Sequence, residues 1–182
     1  ADRYRTEVDE DPTPSGTDEY LFYQTLLGSF PLDGNLDGFP ERVVEYMTKA
    51  AREAKLRTSW LSPNEAYEQA LSEFVRAMLA DAEVLDRVRA LASRIDAHGA
   101  ANGLAQAVLK IASPGVPDTY QGSEVWNLSL VDPDNRRPVD YASRSAMLKK
   151  MKAASEKNSL SIETLLRRWH DSRIKMFVTW KV

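Results

Sequence analysis

The residues of this chain best suited to chemistry crowd into one stretch, "SPGVPDTYQGSEVWNLSLVDPDNRRPVDY", at positions 113–141. It holds the carboxylates Glu124, Asp132 and Asp134, the amides Gln121 and Asn135, the adjacent Arg136 and Arg137, and the rings of Tyr120 and Trp126. These are the groups that carbohydrate recognition needs. Carboxylates, amides and guanidinium groups make paired hydrogen bonds to vicinal hydroxyls, and an aromatic face covers the apolar side of a sugar ring. Pro114 and Pro117 forbid helix, Pro133 and Pro138 prevent its recovery before Tyr141, and Asp134-Asn135 suits a tight turn. A structureless run of that length is uncommon in a compact domain unless it binds something. The alternative is a surface loop whose arginines and acids pair with one another to fix its shape. Both readings stand on residue types alone.

The remaining candidates carry less. Trp60, in "KLRTSWLSPNE", has a ring that could stack on a sugar or a base, but a position beside a helix start that suits a packing anchor. Lys49, Arg52, Lys55 and Arg57 could grip an anion, although a charge run of this kind reads first as a solvated helix face. His98 and His170 lie far apart, with no ligand partner at metal-binding spacing, so neither a metal site nor a catalytic triad is expected. The absence of cysteine excludes disulfides and thiolate metal sites. A net charge of -3 argues against a nucleic-acid partner, which needs a basic face. No apolar run approaches the ~20 residues that span a bilayer, and the N-terminus lacks a signal-peptide core. The expectation is a soluble cytoplasmic protein with no membrane partner and no cofactor.

These residues must be positioned by helices. The acidic, breaker-rich segment 1–17 reads as disordered or extended. Residues 18–113 read as a helical subdomain. Tyr20, Leu21, Phe22, Tyr23, Leu26, Leu27 and Phe30 make a first helix that is apolar nearly all round. Pro40 opens a second, with Val43 and Met47 at helical spacing. Ser62-Pro63-Asn64-Glu65 has the pattern of a capping box ahead of the stripe Tyr67, Leu71, Phe74, Val75 and Met78. A fourth helix starts near Asp81, and Gly99 and Gly103 weaken its continuation before Leu104, Val108 and Ile111 resume the stripe. Residues 114–140 form the polar loop region, and 141–182 carry further helices, expected over 141–154 and 162–169. Strand-like signal is confined to 119–121 and 176–180. The fold class is mainly α.

The run "SPGVPDTYQGSE" resembles the end of the barrel in the α-amylase superfamily, where a Pro-Gly-x-Pro segment leads into the eighth strand. Its continuation, together with "DEYLFYQTLLGSFP", "YMTKAAREAKLRTSW" and "NGLAQAVLKIASPGVPD", is similar to the maltooligosyl trehalose synthases of glycoside hydrolase family 13. The likeness runs over residues 18–182, with several long motifs in the family's order.

The resemblance implies conversion of the reducing-end α-1,4 link of a maltooligosaccharide into an α,α-1,1 link, by intramolecular transglycosylation on a (β/α)8 barrel. Three carboxylates would carry it, in the manner of a retaining glycosidase whose two working carboxyls lie about 5–5.5 Å apart. Their motifs follow barrel strands four, five and seven and do not occur in this sequence. No catalytic residue is therefore assigned, and Glu124, Asp132 and Asp134 are not taken as catalytic. The chain reads as a bundle-like fragment, comprising an insertion after strand seven, strand eight and the helices beyond it, and inactive alone. Tyr120, Gln121 and Glu124 at the end of strand eight would face the cleft, and Asp132, Asp134, Asn135, Arg136 and Arg137 would line its rim as substrate-binding candidates. Two alternatives remain: another α-amylase-type hydrolase or transglycosidase, and a non-enzymatic helical interaction module.

Overall fold

Ser15 closes the acidic N-terminal stretch by capping the first helix, its Oγ accepting the Asp18 N–H at 3.2 Å. The computed structural model describes residues 1–182 throughout. Before Ser15 the chain is ordered: a 3-10 turn over Asp2–Tyr4 precedes an antiparallel pair, β1 (Thr6–Val8) and β2 (Asp11–Thr13). The two linking residues, Asp9 and Glu10, both have positive φ, 54° and 66°. That is the backbone of a two-residue hairpin turn whose twist matches its strands. The sequence hid it because glycine or asparagine usually occupies those positions.

Seven α-helices come after the hairpin, which makes the fold mainly α as expected: α1 (Gly16–Ser29), α2 (Phe39–Ala54), α3 (Glu65–Ala80), α4 (Ala82–Ala112), α5 (Tyr141–Glu156), α6 (Ile162–Arg167) and α7 (Arg173–Lys181). The chain divides into two compact units, one of Ala1–Arg94 with Leu128–Arg136, the other of Ile95–Asn127 with Arg137–Val182.

The first unit is built on a core from α1, α2 and α3. Phe22 and Leu26 of α1, Phe39, Val43 and Met47 of α2, and Leu71, Phe74 and Val75 of α3 are almost wholly buried. Phe22 meets Phe74 edge to face with centroids 5.5 Å apart, and Phe30 meets Phe39 likewise at 6.0 Å. Each such side chain removed from water contributes ~1.5–3 kcal/mol before chain entropy is counted. The helix α1 is not buried all round, since Tyr20 points to solvent. The start of α3 also differs from expectation: Asn64, not Ser62, is its N-cap, with Oδ1 accepting the Tyr67 N–H at 3.0 Å. Ser62 serves a small turn instead, its N–H donating to Ser59 Oγ at 3.0 Å.

Helix α4 runs unbroken for 31 residues through both Gly99 and Gly103. Gly103 has a packing reason to be glycine. A Cβ there would stand 3.3 Å from Trp126 Cζ3, so the missing side chain lets the indole lie against the helix. The second unit gathers Met151, Leu165, Ile174 and Met176, with Leu104, Trp126, Trp169, Phe177 and Trp180 packed around them. Helix α6 ends at Arg167, short of the expected 169, and a 3-10 turn over Trp169–Asp171 leads into α7.

The expected strands at 119–121 and 176–180 do not form. Residues 119–121 are irregular, and 176–180 belong to α7. A strand exists through pairing, and only β1 and β2 pair here. At 176–180 the apolar side chains face the second core at helical spacing, which decides for helix. None of the helices is long and apolar enough to cross a membrane.

Candidate functional site

In the first unit the polar stretch contributes a turn over Leu128–Arg136 that is tied to helix α2. Asp134 is its centre and is buried, 7% exposed. Arg42 holds it in a fork, Nε donating to Oδ1 at 2.8 Å and Nη2 to Oδ2 at 2.9 Å. The Leu130 N–H donates to the same Oδ2 at 2.7 Å. Arg42 Nη2 reaches the Leu128 carbonyl at 3.1 Å, and Lys49 Nζ donates to the Asp132 carbonyl at 2.6 Å. A buried carboxylate is tolerated only when paired and hydrogen-bonded, and here both of its oxygens are engaged. Arg136 pairs with Asp132 across the turn. Asn135 is half-buried, and its Oδ1 is shielded from solvent without accepting a hydrogen bond. Asp132, Asp134, Asn135 and Arg136 are thus brought together on a pre-shaped turn.

Sequence reasoning missed Arg42 as a partner and read Lys49 as part of a solvated charge run. Three of the four cations in that run have fixed partners. Besides Lys49, Arg52 forks onto Glu68 at 2.7 and 2.5 Å, and Arg57 pairs with Asp11. The Glu68 carboxyl is held below the usual carboxylate range, mainly by the Arg52 guanidinium. Trp60 is no packing anchor: it is 55% exposed, with Arg52 lying over its ring at 4.8 Å. No local pattern announces a partner 92 positions away, so only the fold could reveal Arg42.

Tyr120, Gln121, Glu124 and Arg137 belong to the second unit. Tyr120, Gln121 and Arg137 are all exposed, and Gln121 opens a turn that continues through Gly122. Glu124 Oε2 lies 3.3 Å from Arg144 Nε, and Arg144 also donates to the carbonyls of Asp140 and Gly122 at 3.1 and 3.4 Å. Gly122 adopts φ +80°, a backbone conformation that favours glycine, and a Cβ there would press on the Val139 side chain at 3.2 Å. Trp126 is fixed by its Nε1–H, which donates to the Trp169 carbonyl at 2.6 Å, and by Lys175, whose Nζ lies 5.5 Å from the ring centroid. Burial pushes the Lys175 ammonium below its ordinary pKa. His170 stacks on Trp169 at 3.7 Å and approaches Asp96 at 3.6 Å. No three His, Asp or Glu side chains gather as a metal site.

Comparison with known proteins gives these positions a context. No protein-family model matches the chain. A Mycobacterium tuberculosis protein named "Putative maltooligosyl trehalose synthase" is 39% identical over 139 residues, which is 76% of this chain and 18% of the relative. A crystal structure of maltooligosyl trehalose synthase superposes with a TM-score of 0.79 at 38% identity, covering 90% of this chain and 22% of the other. The maltooligosyltrehalose synthase of Arthrobacter ramosus gives 0.72 at 34% identity, covering 88% and 19%. In sequence and in fold, most of this chain is therefore similar to part of the maltooligosyl trehalose synthases, and it spans about a fifth of the length of those relatives.

Proposed function

We propose that this chain is part of a maltooligosyl trehalose synthase of the α-amylase superfamily, glycoside hydrolase family 13. The whole enzyme would convert the reducing-end α-1,4 bond of a maltooligosaccharide into an α,α-1,1 bond by intramolecular transfer, in the cytoplasm. The observation that carries the reading is the similarity itself, 39% identity over 139 residues with a fold match at TM-score 0.79. The anchored turn supports it, because a polar rim held rigid by Arg42 and Lys49 presents its groups without first having to order them.

In this reading no catalytic carboxylate is assigned to the chain. Asp134 positions the turn, since Arg42 and the Leu130 N–H occupy its oxygens. Tyr120 and Gln121 at the exposed end of the stretch, with Asn135, Arg136 and Arg137, are the candidates for meeting glucose hydroxyls. Glu124 and Asp132 act through their arginine partners Arg144 and Arg136.

The test is an assay on maltopentaose with the full-length protein and with this chain. The full-length protein should remove reducing ends and leave a product ending in trehalose, while the chain alone leaves the substrate unchanged. Release of shorter reducing sugars by the full-length protein would make it a hydrolase. Turnover by the chain alone would place the working carboxylates within it.

A further inference from the structure

The second unit contains a cavity of about 400 Å³ that the polar turn does not use. Two cations line it, Lys110 from the last turn of α4 and Lys175 from the first turn of α7. The rest of its polar wall is neutral: Gln106, Thr119, Ser123 and Thr179. Lys110 suits its place, since a cation at a helix C-terminus meets the negative end of the dipole. Lys175 does not. It sits at the positive end of α7, it is half-buried, and a second lysine shares its cavity. Its ammonium finds only the Val125 carbonyl at 3.0 Å and the Trp126 ring.

Two charged neighbours act on the Lys175 ammonium. Glu124 favours it, but the Glu124 carboxylate lies 3.3 Å from Arg144 Nε. Lys110 disfavours it. Two ammonium groups face a cavity whose lining holds no acid. In such an arrangement an incoming anion relieves repulsion as well as gaining attraction, and hydroxyls alongside lysines are the usual donors to a phosphoryl oxygen.

We propose that this cavity is a binding site for a phosphoryl group, as free phosphate or as a phosphate monoester. Lys110 and Lys175 meet the anionic oxygens, and the hydroxyls of Thr119 and Ser123 complete the shell, while the Thr179 hydroxyl stays on the Lys175 carbonyl at 3.0 Å. The volume lies within the range of small-molecule sites and leaves room for the body of an ester beside its phosphate.

Isothermal titration calorimetry of this chain with inorganic phosphate, with glucose 6-phosphate and with glucose tests the assignment at low salt. Saturable binding of either phosphate, absent for glucose and weakened by added salt, is the expected result. Tighter binding of the ester assigns the remaining volume to its sugar, and equal affinity assigns the site to phosphate alone. Lys110 is exposed on α4, so Lys110→Glu should keep the fold, checked by circular dichroism, and lower the affinity about tenfold or more. No saturable phosphate binding by the unsubstituted chain, or unchanged affinity in Lys110→Glu, overturns the proposal. Binding of glucose as tight as that of its phosphate would do the same.

Discussion

Arg42 and Asp134, 92 positions apart, meet as a two-pronged ion pair with contacts of 2.8 and 2.9 Å, and the pair fixes the polar turn against helix α2. The arrangement explains why a proline-rich stretch with no regular structure nonetheless has a defined shape. Backbone groups at Leu128 and Leu130 hydrogen-bond to the same two side chains, so the turn and the ion pair stand or fall together.

Arg42→Ala should therefore cost about 3 kcal/mol, because it takes the forked guanidinium away from a buried carboxylate. Arg42→Lys should recover only part of this, since an ammonium cannot reproduce the planar fork. The amide of Leu130 gives a local readout by hydrogen exchange, and its protection should fall in both variants. A loss below about 1 kcal/mol in Arg42→Ala, with the Leu130 amide still protected, would show that the turn is held by something else.

The two glycines of α4 should respond in opposite ways to alanine. Nothing lies within 4 Å of a Cβ at Gly99, so Gly99→Ala should stabilise the helix by up to about 1 kcal/mol. At Gly103 the new methyl would press on Trp126, and the indole cannot retreat easily because its N–H is fixed on the Trp169 carbonyl at 2.6 Å. Gly103→Ala should gain nothing or lose stability. Thermal melts followed by far-ultraviolet circular dichroism decide it, and equal rises in both variants would mean that the Trp126 contact is slack.

Acid should weaken the first unit through Asp81. Its carboxyl lies at about 2, well below the usual carboxylate range, chiefly because the Tyr4 hydroxyl donates to it, with Arg3 and the Glu83 N–H adding to the effect against the opposing influence of burial. A carboxylate whose folded pKa is depressed contributes stability that is complete above its unfolded value, near ~4, and is lost as pH falls toward about 2. Glu41 and Glu68 are shifted in the same direction by Arg76 and Arg52. The melting temperature should thus drop between about pH 4 and about pH 2, and Asp81→Asn should flatten that slope. An identical slope in the variant would remove Asp81 from the account.

Much of the helical framework was legible because its signals are local. The stripe Tyr67, Leu71, Phe74, Val75 and Met78 marks α3, and all five side chains are buried. Its start was misread because Ser62 and Asn64 are both good caps, and the choice depends on the turn that Ser59 and Ser62 make outside the helix. The hairpin at β1 and β2 was illegible for the opposite reason: an Asp-Glu pair rarely takes left-handed backbone. The residue types of the polar stretch pointed to recognition, but its organisation did not show, since Arg42, Lys49 and Arg144 lie elsewhere in the sequence. The strand expected at 119–121 failed because a strand's stability resides in its neighbours rather than in its own residues.

The placement of the indoles gives the chain a built-in optical label. Of its four tryptophans, Trp126, Trp169 and Trp180 are packed around the second core, whereas the first core contains none. Trp60, the one indole of the first unit, is already more than half in water and would change colour little on unfolding. A red shift of intrinsic fluorescence in denaturant therefore tracks the second unit almost alone, while the first, rich in phenylalanine, melts unseen in that channel. Recording emission beside the helical signal would distinguish the two units in one unmodified sample, with no dye and no substitution.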